Sequence, residues 1–396
     1  MCMFIGLGES IKEETIAFRR ELHENPELSH EESRTSRRVQ EELDKAGIPF
    51  QTGFAEHGVL GIISGAHPGK TIALRADMDA LPIVEQNEHD FVSKTKGAMH
   101  ACGHDAHTAM LLGAGKLLYA NRESLSGTIL LVFQPAEENA PVGGAQAMMD
   151  DGVFADYIPD EIYAQHVWPD LPVGSFGVRP GAMMGNSDRF EIRVTGASGH
   201  ASMPHQTTDA VVIAAQLVNA LQTIVSRSTD PLKSAVVTVG TINGGSRYNV
   251  IAEEVVLEGT VRTYDADVKD SIKKRMEAIA TQTADMLGGK AELTYHDGYP
   301  ATRNTEESAA LVAEAVRDAY GEEAQPEILP SMGGEDFGRF LETYPGAYYW
   351  LGTAIPSRTV QKPLHDPQFD IDERAIPYGV EMLAETAYRA AKGGNA

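Results

Sequence analysis

Apolar residues recur at helical spacing over 11–20 and again over 31–46, where Gly47 supplies a stop, with a His-Glu-Asn-Pro turn at 23–26 between the two. Two apolar runs follow, 58–64 and 71–76, which read as neighbouring strands joined across 66–69, the second ending in Asp77-Met-Asp79. Residues 108–119 are strongly apolar with helical period, and 127–133 form a continuous hydrophobic run of the kind buried in a parallel sheet. That run empties into Gln134-Pro-Ala-Glu-Glu138. Likewise 161–164 lead into Gln165-His-Val-Trp-Pro169, and a strand at 347–351 is followed by Leu364-His-Asp-Pro367. Each time a polar, metal-competent group lies just past the carboxyl end of a strand, where open α/β sheets place their ligands.

Between these halves the period changes. Strand 189–195, helix 207–228, strands 234–242 and 252–263, helix 265–287 and strand 290–297 make one βαββαβ unit, the ferredoxin-like split βαβ arrangement. The expected fold is α/β, with residues 1–184 and 299–396 in one domain, 185–298 inserted as a second, and hinges near Met184 and Tyr299.

Composition narrows the function. With 396 residues, 42% of them hydrophobic, the chain can bury two cores. Fifty-seven acidic against 33 basic residues leave a net charge of −24, which repels nucleic acid and anionic membrane surfaces. No eighteen apolar residues run together, and the first residues lack the basic start of a signal peptide. Two cysteines cannot build a disulfide framework, so a reducing, cytoplasmic setting is expected.

The chemistry concentrates in His100-Ala-Cys-Gly-His-Asp-Ala-His107. Cys102 and His104, two apart, can converge on one ion when the chain is extended, where they share a face, or turning, and thiolate with imidazole suits zinc, with manganese, cobalt or nickel as alternatives. Histidines capping a helix are the plainer reading of the octet alone. Glu137-Glu138 at a strand end carries more, because one carboxylate can ligate while the other acts as a base. Water beside a divalent cation gives up its proton near neutrality, and a neighbouring carboxylate can take it during attack on a carbonyl.

Taken in order, Arg75-Ala-Asp-Met-Asp-Ala-Leu-Pro82, Met99-His-Ala-Cys-Gly-His-Asp-Ala-His107, Gln134-Pro-Ala-Glu-Glu138, Gln165-His-Val-Trp-Pro169, Ser198-Gly-His-Ala201 with Pro204-His205, Gly333-Gly-Glu-Asp-Phe337 and Leu364-His-Asp-Pro367 span most of the chain. The sequence resembles the M20 metallopeptidases in their amidohydrolase branch, the aminoacylase, hippurate hydrolase and indole-acetyl-amino-acid hydrolase group. The resemblance implies a mixed-sheet hydrolase domain holding two divalent ions (zinc, manganese, nickel or cobalt) on Cys102, His104, Glu138, His166 and His365, with Glu137 as general base. It implies that the inserted domain is a lid and dimerisation domain, that His200 stabilises the oxyanion, and that Asn249 and Arg262 bind substrate, an N-acyl amino acid. Much of the wider family has His-x-Asp where this chain has Asp77-Met-Asp79, which leaves Asp77 without a role. Asp79 is expected to orient a ligand, or to cap a strand-end turn.

Gly113-Ala-Gly-Lys116 lies inside a helical pattern and lacks a strand leading in, so it reads as helix packing, not as a phosphate loop. His100 and His107 have no assigned role. His23 and His30 are expected to flank an exposed turn.

Overall fold

The computed structural model describes residues 2–393, which divide by their contacts into two units. The first comprises residues 2–183, Thr302–Pro330 and residues 336–393; the second comprises Met184–Ala301 and Ser331–Glu335.

In the first unit, helices α1 (Lys12–Glu24) and α2 (Ser33–Ala46) precede strands β1 (Phe50–Phe54), β2 (Gly58–Ser64) and β3 (His67–Asp77). Then come α3 (His104–Ala120), β4 (Ser126–Gln134), α4 (Gly144–Asp150), β5 (Glu161–Pro172), β6 (Phe176–Gly177) and β7 (Gly181–Met184). In the second unit lie β8 (Asp188–Thr195), β9 (Gly199–His200), α5 (Ala210–Thr223), β10 (Ala235–Gly244), β11 (Val250–Ile251), β12 (Glu254–Thr263), α6 (Ala266–Met286) and β13 (Lys290–His296). The chain returns to the first unit as β14 (Thr302–Asn304), α7 (Glu306–Tyr320), α8 (Gly338–Leu341), β15 (Gly346–Ala354) and α9 (Ala375–Lys392).

The main sheet is mixed and seven-stranded, in the order β1-β2-β4-β3-β5-β15-β6. β3 runs parallel to β4 and β5, and β5 parallel to β15, while β1, β2 and β6 pair antiparallel. Three expectations need correction. β2 and β3 are not neighbours, because β4 enters between them and pairs with both. α3 begins at His104, four residues before the apolar period starts, since its first turn carries polar residues that are nevertheless buried. β5 runs on to Pro172, so His166 lies within the strand; β15 pairs it through Trp350, whereas pairing with β3 ends at Ala164.

α3 is buried almost all round, which explains its unbroken apolar character. A Cβ on Gly115 would meet Leu131 Cδ1 of β4 at 2.4 Å and one on Gly113 would meet Val380 Cγ2 of α9 at 3.0 Å, so the two glycines are close packing contacts, with the sheet and with a neighbouring helix. Met110, Leu111, Leu112, Leu117 and Leu118 join the core with Leu74, Leu131 and Leu383, each apolar side chain contributing about 1.5–3 kcal/mol on burial.

The second unit is a four-stranded antiparallel sheet in the order β10-β12-β8-β13, with α5 and α6 supplying the apolar face of its core. Ser331–Glu335 folds with it, beyond the sequence range 185–298, because the Gly185 N–H donates to Gly333 O at 2.9 Å and Met184 bridges Ser331. Among the described residues, Ala210–Ser228 is the one helical stretch long and apolar enough to cross a membrane; its Ile213, Leu217 and Leu221 lie in this unit's core.

Candidate metal centre

Gly103 divides the histidine-rich octet. Its φ of +86° is in the left-handed region, and a Cβ there would meet Val167 Cγ2 at 2.4 Å. The reversal it makes sets Cys102 in a turn and His104 at the first position of α3. The two converge through that reversal and not across a shared strand face.

A second reversal follows β4. Ala136 has φ 58°, a conformation costing a non-glycine residue about 1–2 kcal/mol, and it turns the chain just before Glu137 and Glu138. Its N–H is held at 2.7 Å by the carboxyl of Glu32, a fully buried group pushed up to about 8 by burial and by Asp79. His365 arrives from the 355–374 loop, also with positive φ (69°), its N–H donating to Ala101 O at 2.8 Å.

These turns collect the sequence-predicted donors. Ligand atoms of Cys102, His104 and His166 lie within 4.8 Å of one another, as do those of Cys102, Glu138 and His365, and those of His104, Glu137 and Glu138. Cys102 Sγ is 3.4 Å from His166 Nε2, and His365 Nε2 is 3.2 Å from Glu138 Oε1. That last approach lacks hydrogen-bond geometry, so Glu138 Oε1 is a buried acceptor without a partner; His104 Nε2 is likewise unpartnered. Asp79 holds the other side of the site: Oδ1 is 3.2 Å from His104 Nδ1, and Oδ2 accepts from Ser29 Oγ at 2.6 Å and from the Glu138 N–H at 2.9 Å. Glu137, by contrast, accepts through Oε1 from the Asp336 N–H at 3.3 Å.

The electrostatics agree with the geometry. Burial, with Glu138, Glu137 and Asp77 beside it, pushes the Cys102 thiol well up, so a thiolate here needs a cation. Burial opposes charge on His104, yet Asp77, Asp79 and Glu138 raise it to about 10. Burial and His107 hold His166 well below its ordinary value, as a neutral imidazole suited to ligation. Sulfur, imidazole and carboxylate donors with two orphaned buried atoms among them fit divalent cations.

Behind the donors runs a buried charge network. Arg75 donates from Nε to Gln134 Oε1 (2.8 Å), from Nη1 to Asp77 Oδ2 (2.7 Å) and from Nη2 to Asp336 Oδ1 (2.9 Å). Gln134 Nε2 and the Ala145 N–H also donate to Asp336. Burial would raise Asp77, but His104, Arg75 and His107 keep it well below its ordinary value. Sequence reading gave no role to Glu32, Arg75, Gln134 or Asp336. An arginine inside the apolar run 71–76 was the available signal, since such a charge is buried only with partners.

In the second unit His200 is exposed on β9, opposite Val250 of β11, and its Nδ1 accepts from the Ser202 N–H at 3.1 Å. Asn249 adjoins it: Asn249 O accepts from the Ala201 N–H, and Asn249 Oδ1 is buried without a partner. Arg262 stands on β12, in the four-stranded sheet and not in the β9–β11 pair. β12 pairs Glu254 with Thr195 at one end and Val261 with Asp188 at the other, and its eight steps from Glu254 to Arg262 span roughly 26 Å. Within this unit, His200 and Asn249 form one group and Arg262 another.

A second cluster corrects the expectation for His23, which is buried at the end of α1 and not beside an exposed turn. Its ligand atoms also group with Glu85 and His89. Both its ring nitrogens are taken, by Asp105 Oδ2 at 2.8 Å and Glu85 Oε1 at 3.1 Å, and Glu85 further accepts from Asn87 and the Ser93 N–H. An imidazolium accounts for the cluster. Burial disfavours the charge, but the two carboxylates raise His23 to about 8. A raised value stabilises the fold fully below the unfolded value near 6.5, and that contribution is lost as pH rises through 8. Urea denaturation at pH 6 and pH 9 should therefore show a loss of about 2 kcal/mol that His23→Gln removes; an unchanged slope in the variant would assign it elsewhere.

Residues 73–389 match the description "Peptidase family M20/M25/M40". The chain is 43% identical over 380 residues to the N-acetyl-L-cysteine deacetylase of Bacillus subtilis, covering 96% of this chain and 89% of that protein. It is 40% identical over 373 residues to thermostable carboxypeptidase 2 of Saccharolobus solfataricus, covering 94% of each. The crystal structure of the YxeP protein of Bacillus subtilis, a dinuclear metal-binding peptidase, superposes with a TM-score of 0.85 at 34% identity, over 96% of this chain and 98% of that one.

Proposed function

The chain belongs to peptidase family M20/M25/M40, and from that premise we propose that it is a metal-dependent amidohydrolase cleaving N-acyl-L-amino acids to a carboxylate and a free amino acid. The observation that carries this reading is the convergence of donors on one place: ligand atoms of Cys102, His104 and His166, of Cys102, Glu138 and His365, and of His104, Glu137 and Glu138 each lie within 4.8 Å of one another, Glu137 also accepting from the Asp336 N–H. In this reading Cys102, His104, Glu138, His166 and His365 hold two divalent ions, whose chemistry when bound is to polarise water and the acyl carbonyl. Asp79 orients His104. Glu137 takes the proton of the attacking water and passes it to the leaving amine.

His200 donates to the tetrahedral oxyanion and Arg262 clamps the free carboxylate, with Asn249 assisting. Because His200 and Arg262 stand on different sheets of the inserted unit, the proposal has them serve different subunits' sites in a homodimer joined through that unit, which also acts as the lid. The proposed setting is the cytoplasm, where Cys102 stays reduced.

The deacetylase relative favours acyl amino acids; the carboxypeptidase relative favours a second reading, hydrolysis of short peptides. Protein reconstituted with zinc, manganese, nickel or cobalt and assayed on N-acetyl and N-benzoyl amino acids beside dipeptides separates the two. Turnover of the acyl amino acids, abolished by a chelator that leaves most of the thermal stability, is the expected result. Turnover of dipeptides alone selects the second reading, and hydrolysis of neither with any metal overturns both.

A further inference from the structure

We infer that His107 is a positioning residue that locks the ring of His166 for ligation, an inference resting on the metal-centre reading above. His107 is one helical turn after His104 on α3, on the same face, and its ring is 4.4 Å from that of His166 at 62°. It is buried, and both its nitrogens are engaged.

The partners determine its tautomer. The Val167 N–H can only donate, and it donates to His107 Nε2 at 2.9 Å. Nε2 is therefore bare and the proton sits on Nδ1, donated to Asp77 Oδ1 at 2.6 Å. Asp77 is in turn anchored by Arg75 at 2.7 Å. On the far side of the same residue, the Val167 carbonyl accepts from His166 Nδ1 at 2.7 Å, which leaves His166 Nε2 as the bare nitrogen facing Cys102 Sγ at 3.4 Å.

The reason for this device lies in the sheet. Pairing of β5 with β3 stops at Arg75 and Ala164, so the β5 backbone beyond loses its partner strand on that side. His107 supplies the missing acceptor. It keeps the strand extended through His166 and fixes Val167 from the N–H side while His166 uses its carbonyl. Asp77 thus reaches the cluster through His107 as well as by its own approach to His104, 3.7 Å from Nε2.

His107→Leu keeps most of the volume but removes both hydrogen bonds; His107→Gln can restore them, its amide donating to Asp77 and its carbonyl accepting from Val167. Cobalt titration of the metal-free protein should show affinity lowered about 10–100-fold in the Leu variant with an altered visible spectrum, and largely recovered in the Gln variant. A Leu variant with wild-type affinity and spectrum overturns the inference. If the Leu variant does not fold, the wild-type protein still decides: nitrogen NMR of labelled histidine must find His107 protonated on Nδ1, and protonation on Nε2 overturns it. Should the wild type itself take up no cobalt, the metal-centre reading fails instead.

Discussion

Glu137→Gln should retain the metal content of the wild type and lose about 10²–10⁴-fold in kcat, the span supplied by a positioned general base. The substitution is nearly isosteric, and an amide oxygen can still accept the Asp336 N–H that holds Glu137 Oε1 at 3.3 Å. What it removes is the ability to take a proton. KM should change little, because the carboxylate acts on the water and not on the bound amino acid. The neighbouring Glu138→Gln should fail differently, through lost cation affinity, since its Oε1 lies among the donor atoms with His365 3.2 Å away. Metal analysis beside steady-state kinetics distinguishes the pair, and a Glu137→Gln protein with near-normal turnover would remove Glu137 from the mechanism.

Arg75→Met should cost about 3–5 kcal/mol in the metal-free protein, the penalty for leaving buried charges uncompensated. Arg75 is buried and bonds Asp77 and Asp336, both fully buried carboxylates, while Gln134 braces the same group. Methionine fills much of the space but returns no charge. Arg75→Lys should fall between the two, because an ammonium cannot reproduce the planar fork that reaches three partners. Urea denaturation of the three proteins measures the order, and a methionine variant within about 1 kcal/mol of wild type would show that the network is not a stability element. Activity should fall with stability, since Asp336 also presents the N–H that holds Glu137.

Much was legible from the linear chain. The strands, the helices and the split βαβ insertion follow from periods of two and 3.6, which are properties of neighbouring residues. The family and its metal-competent motifs are legible because Cys102, His104, Glu138, His166 and His365 are chemically conspicuous residue types, although His166 proves to lie within β5 and not past its end. Even a shift in a boundary, such as the start of α3 at His104, leaves those motifs intact.

Strand order and hydrogen-bond partners belong to the folded state alone. β4 separates β2 from β3 although nothing between 58 and 76 announces it, because the pairing is selected by contacts with a strand some 60 positions later. Arg75 meets Asp336 across 261 positions, Glu32 meets Ala136 across 104, and His107 meets Val167 across 60. Such partners are chosen by distance in space and by the need of every buried donor, acceptor and charge to be satisfied, and neither condition leaves a periodic trace along the chain.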